Sequence, residues 1–133
     1  MLLLARLTDY MSKEGKPNEY WCTFGGGVDE MESLEDAIVR EMIEETGITP
    51  VVGPLLFVQQ YEAGGVESTE FFFHVTNTED YLDIDTTKTT HGVAEIAEIA
   101  FVDPKKEHIL PAFLKEADLT DLSKKQTQFF SYL

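Results

Sequence analysis

The chain has 133 residues, 43% of them hydrophobic, and 25 acidic against 10 basic residues give a net charge of −15. That length and apolar content suit one globular domain over residues 1–133 and exclude a disordered tail. The charge repels polyanions, which argues against a nucleic-acid duplex or an anionic membrane as partner.

The single cysteine, Cys22, permits no internal disulfide and fits a reducing, cytoplasmic setting. The opening MLLLARL is too short for a signal h-region and is broken by Arg6. No stretch approaches membrane-spanning length. Residues 2–8 predict a mostly buried strand, and the KEGKPNE run at 13–19 predicts a loop. Residues 20–24 read as a short second strand, whose Tyr20 and Trp21 are core aromatics before they are base-stacking ones. Gly25, Gly26 and Gly27 follow.

A helix is predicted next. Ser33 is a favourable N-cap, Glu35 and Asp36 suit the positive end of the dipole, and Gly47 is a C-terminal stop. At about 100° per residue, Leu34, Ile38, Val39, Met42 and Ile43 cover one side. Glu41, Glu44 and Glu45 fall on an adjoining arc, bordering the buried face. Carboxylates three and four residues apart repel by roughly a few tenths of a kcal/mol per pair, so the cluster calls for a cation.

Beyond the helix, residues 55–60 centre a strand, and 62–68, with Gly64 and Gly65, form a turn or loop. The run TEFFFHVT at 69–76 predicts a strand long enough to be central, with Phe72 and His74 on one face. Residues 77–92 are polar and acidic, an exposed loop, and 95–102 end in a strand, with a first half that also suits a helix. Residues 111–119 have helical periodicity, and 123–133 suit a short helix. Strands interleaved with helices predict a mixed α/β domain. His74, His91 and His108 lack zinc spacing.

The stretch from Gly25 to Ile48 resembles the signature of the Nudix hydrolases. Gly26 is followed after five residues by Glu32, and seven more lead to Arg40-Glu41-Met42-Ile43-Glu44-Glu45-Thr46-Gly47-Ile48. Every charged residue and glycine of that pattern is in place. Phe24 stands where the family often has proline, and Met31 where a glycine commonly precedes the first signature Glu. Met42 replaces a branched aliphatic, a mild change.

The resemblance implies an α/β/α sandwich with a mixed sheet. The family's usual first strand has no counterpart ahead of MLLLARL: either the sequence is a shortened or natural fragment, or another chain, as in a homodimer, supplies the edge. It also implies Mg2+, with Mn2+ as substitute, held by Glu41, Glu44 and Glu45. The substrate would be a small nucleotide: a nucleotide sugar, an ADP-ribose-like compound or a nucleoside triphosphate. Glu44, Glu45 and Arg40 would carry catalysis, Arg40 by orienting the acids and Glu32 by bracing the loop. Gly25, Gly26 and Gly27 would approach phosphate or fix the turn, and Arg6 is a further phosphate candidate. Glu95 and Glu98 are candidates for the general base, with Glu67 and Glu70 weaker. The alternative is a catalytically silent module that senses a nucleotide or binds a protein.

Overall fold

A computed structural model describes residues 1–7, 18–84, 96–122 and 126–133. Glu95, His91, Thr8, most of the 13–19 loop and the later part of 77–92 lie outside the described residues. In chain order the elements are β1 (Leu2–Leu7), β2 (Trp21–Cys22), α1 (Leu34–Thr46), β3 (Val52–Ala63), β4 (Val66–Val75), β5 (Ile96–Val102), β6 (Ile109–Leu110) and β7 (Gln128–Ser131). Single 3-10 turns occupy Thr78–Tyr81 and Ala112–Lys115. This is the mixed α/β fold predicted from the interleaved patterns.

Two mixed sheets form. One has the order β5-β1-β2-β6, the other β4-β3-β7. In the first, β1 runs antiparallel to both neighbours and β2 runs parallel to β6. In the second, β3 and β4 form an antiparallel hairpin, and β7 pairs with β3 in parallel. The hairpin turn is only Gly64-Gly65, both with positive φ (60° and 82°), as a tight primed turn requires. Early in β3, at Gly53, an added Cβ would lie 2.8 Å from the His74 carbonyl oxygen. A glycine lets the two backbones meet there.

The core joins the sheets through Leu4, Trp21, Leu56, Phe57, Val102, Ile109, Phe113 and Leu114. Phe113 is its hub. Its ring stacks on Phe130 at 4.5 Å and meets Phe57 at 5.1 Å and Phe72 at 5.5 Å. Burying such a ring stabilises by roughly 3 kcal/mol or less through lost water contact.

Several expectations give way to the tertiary context. Residues 111–119 hold one 3-10 turn instead of a longer helix, because Phe113 and Leu114 turn into the core after Pro111. The closing segment is strand β7, not a helix: β3 offers it a backbone edge, and Phe130 reaches Phe113. Among the described residues β4 is an edge strand, not a central one. Residues 96–102 are strand throughout, with no helix in their first half, and pair with β1 from Leu2 to Leu7. Tyr81, within the stretch expected to be an exposed loop, is 2% exposed, and its hydroxyl donates to the Ile48 carbonyl at 3.2 Å.

Candidate active site

Helix α1 carries the site, and both of its end signals operate. The Ser33 hydroxyl accepts the Asp36 backbone N–H at 3.1 Å. At the far end Gly47 adopts φ 77° and its N–H donates to the Ile43 carbonyl at 2.8 Å. The buried residues of the helix are Ala37, Met42 and Thr46, whereas Leu34 and Ile43 are 36% and 42% exposed. At about 100° per residue, the arc from Ala37 through Ile38 and Met42 to Thr46 also contains Glu41 and Glu45. Two of the acids therefore stand within the covered arc instead of beside it. The cover over Glu41 and Glu45 is the glycine loop. The Gly25 N–H donates to Glu45 Oε2 at 2.9 Å. At Gly26 an added Cβ would fall 2.6 Å from Glu41 Cδ and 2.7 Å from its Oε2.

Arg40 ties the loop to the helix. Its Nε and Nη2 donate to the two oxygens of Glu32 at 2.8 and 2.9 Å, a bidentate fork. Nη2 also donates to the Gly27 carbonyl at 2.9 Å. Nη1 donates to Glu41 Oε1 at 2.9 Å and, more weakly, to Glu44 Oε2 at 3.4 Å. Asp29 Oδ2 lies 3.4 Å from Nε. The fork from Arg40, followed by the Asp29 N–H, holds the Glu32 carboxyl down at about 2, against an ordinary 4.5. The same carboxylates push the Arg40 guanidinium further up. Burial, then the Glu45 charge, pushes the Cys22 thiol up, so it stays protonated and inert.

The Gly-x5-Glu-x7-Arg-Glu spacing is thus a mechanical device: one guanidinium fixes a loop carbonyl and the helix acids in one frame. A family model of the NUDIX domain matches residues 1–122. The chain belongs to the Nudix family. Its fold also resembles solved structures of this class. A crystal structure of the MutT protein from Methanosarcina mazei Go1 is 26% identical, with a TM-score of 0.58 over 86% of this chain and 77% of that one. A solution structure of the E. coli ORF135 protein is 25% identical, with a TM-score of 0.59 over 83% of this chain and 71% of that one. No curated protein matches the chain.

The Nudix signature implies a divalent metal, and the donor chemistry fits one. Four carboxylates, from Asp29, Glu32, Glu41 and Glu44, share the single Arg40 charge, and Glu45 stands beside them on a glycine N–H. This leaves an excess of negative, hard oxygen ligands of the kind Mg2+ takes. Among the described residues no three acidic, His or Cys side chains are already drawn together around a common point. Glu41 Oε1 and Glu44 Oε2 are turned to Arg40, and Glu45 Oε2 to the Gly25 N–H. Occupation by a cation would require those side chains to swing.

Gly25, Gly26, Gly27 and Glu41 are among the residues that line a cleft of about 810 Å³. Arg6 and Glu98 are not among its lining residues. They are register partners on β1 and β5, joined by an ion pair at 3.2 Å. Arg6 also donates to the Asn18 carbonyl at 2.7 Å and stands 5.4 Å over the buried Trp21 ring. Tyr20 meets His108 edge-on at 6.1 Å. Glu70 lines the cleft and Glu67 does not. Sequence reasoning missed Asp29 as a partner of Arg40; the three-residue step from Asp29 to Glu32, closed by two hydrogen bonds, was the available signal. No helix is long and apolar enough to cross a membrane among the described residues.

Proposed function

We propose that the protein is a magnesium-dependent pyrophosphohydrolase acting on a nucleoside diphosphate linked to a further group. The observation carrying this reading is the frame around Arg40, which concentrates surplus carboxylates against a glycine loop at a cleft. Magnesium, held by Glu41, Glu44 and Glu45, would supply charge neutralisation of the diphosphate and acidify a water molecule.

The chain's own residues do the positioning. Arg40 holds Glu41 and Glu44 on the loop side of the helix, and the Gly25 N–H holds Glu45. Gly26 leaves the space that Glu41 fills. Glu32 locks Arg40 and so sets the loop height. The net charge of −15 opposes an anionic substrate elsewhere on the surface, so productive binding depends on the cation at this one place. Glu98 is engaged by Arg6 and lies outside the cleft lining, which leaves a helix acid as the better-placed candidate to accept the proton of the attacking water.

The test is phosphate or nucleotide release from a panel of nucleoside triphosphates, nucleotide sugars and ADP-ribose with Mg2+ or Mn2+. The parent should turn over at least one member. Glu44→Gln and Glu45→Gln should each lose at least about a hundredfold, the scale expected when charge-based catalysis is removed. Equal, slow rates in parent and variants would leave a nucleotide-sensing module in place of the enzyme.

A further inference from the structure

The inner face of the β3–β4 hairpin changes character along its length. Alternation and register put Phe57 and Tyr61 of β3 on the same face as Phe72, Glu70 and Ser68 of β4. Phe57 and Phe72 pack into the core at Phe113. Toward the turn the face becomes polar. Tyr61, Ser68 and Glu70 are partly buried there, and all three line the cleft that Glu41 and the glycine loop also line. Tyr61 lies opposite Ser68 and diagonal to Glu70, a separation that an aromatic side chain spans. Its hydroxyl donates to Glu70 and accepts from Ser68. The bond to Glu70, then the charge on it, pushes the Tyr61 hydroxyl up.

A carboxylate is a poor wall for a phosphate. Among the described residues no lysine or arginine lines the cleft, so a phosphate beside Glu70 would meet a like charge with no side-chain cation to offset it. A cation on the helix acids serves the diphosphate, which leaves Glu70 to an uncharged part of the substrate. A carboxylate only accepts hydrogen bonds, and its two oxygens suit two parallel donors. Tyr61 takes one acceptor position and fixes the group. Adenine and cytosine offer an amino group beside a ring-nitrogen acceptor, which a carboxylate does not match. Adjacent donors occur on the N1–H and N2–H edge of guanine and on the vicinal hydroxyls of a ribose.

We propose that Glu70, oriented by Tyr61, is a specificity-determining residue that accepts two adjacent uncharged donors of the nucleoside, from the guanine edge or from the ribose diol. The assignment rests on the reading of the cleft as a nucleotide site, but not on turnover. An analogue lacking one donor leaves an acceptor of Glu70 unpaired inside the cleft. A hydrogen bond lost at a charged partner discriminates by about tenfold or more. Glu70 thus selects the nucleoside, and the helix acids act on the diphosphate.

Nucleosides carry no phosphate and need no metal, so the probes are guanosine, inosine and 2′,3′-dideoxyguanosine. Each is titrated into the full chain without metal and followed by NMR. The parent should bind guanosine at least about tenfold more tightly than one of the two analogues. Weak binding of inosine assigns the base edge, and weak binding of dideoxyguanosine assigns the diol. Glu70→Gln should erase the difference, and Tyr61→Phe should narrow it. Equal binding of all three by the parent, no binding of guanosine, or a preference that survives Glu70→Gln would overturn the assignment. On the nucleotide that the parent turns over, Glu70→Gln should raise KM and spare kcat; a fall in kcat alone would make Glu70 a general base and overturn it too. Turnover without nucleoside preference would sink this assignment and leave the hydrolase standing, whereas preference without turnover would do the reverse.

Discussion

Gly26→Ala isolates the position of one carboxylate from the stability of the fold. The new Cβ would sit 2.6 Å from Glu41 Cδ and 2.7 Å from Oε2. Ordinary carbon contacts lie near 3.5 to 4 Å, so the carboxyl must retreat by about 1 Å. The obstructing group is the end of a flexible side chain, so the backbone need not move. What is lost is mainly the 2.9 Å contact from Arg40 to Glu41, at a cost of about 1 kcal/mol or less for a partly solvated pair. For a domain of this size that lowers Tm by roughly 4 °C. Catalysis is far more sensitive, since a misplacement of about 1 Å costs on the order of a hundredfold. Gly27→Ala is the matched control, because nothing lies within 4 Å of its added Cβ. The assay pairs thermal unfolding with kcat/KM on whichever nucleotide the parent turns over. A Gly26→Ala protein with parental kcat/KM would refute the claim that Glu41 must occupy its observed place. A fall in Tm beyond about 10 °C would refute the claim that only a side chain moves.

Three more outcomes are expected. Arg40→Gln frees four carboxylates from their shared cation, so Tm should fall, and millimolar Mg2+ should raise Tm more in the variant than in the parent; no difference in the Mg2+ response would contradict the surplus-charge account. Glu32 has a folded pKa of about 2 against an ordinary 4.5, so its stabilising contribution is complete above pH 4.5 and disappears as pH falls toward 2. Glu32→Gln should therefore flatten the decline of Tm across that acid window, and a parallel decline would show that the Arg40 fork is not linked to folding. Met31 holds φ 63° with its side chain 97% exposed, so Met31→Gly should relieve backbone strain and stabilise by about 0.5 to 1 kcal/mol, read by urea unfolding; a lower midpoint would mean the left-handed turn is not strained.

The Met31 geometry also explains a departure visible in the sequence. The family's common glycine suits a left-handed turn, and this chain keeps the turn without the glycine. Helix α1 was legible because its ends are local chemistry: the Ser33 cap and Gly47 act within one turn of the chain. The acid cluster was legible by spacing, but its arc was not. Counting Leu34 and Ile43 as buried misplaced the covered face, because the cover on that side is a glycine loop that leaves no hydrophobic period. The position of β4 was illegible for a different reason. Phe71, Phe72 and Phe73 look the same in a central strand and in an edge strand lining a cleft. Strand β7 depends on β3, a partner far away in sequence, so residues 123–133 hold no local sign of it. The pairing of Arg6 with Glu98 likewise arises from the β1–β5 register alone.

The two-glycine hairpin sets an order of events for the nascent or refolding chain. β3 and β4 close a short loop, the least costly kind of closure, and such hairpins form in about 1 to 10 μs. The parallel union of β3 with β7 must instead bring together positions as distant as Phe57 and Gln128. Assembly should therefore start at the Gly64-Gly65 bend and finish with the last strand closing over Phe113, leaving the β3 flank briefly open to wrong partners. Pulse-labelled exchange that protects β7 before the hairpin would reverse that sequence.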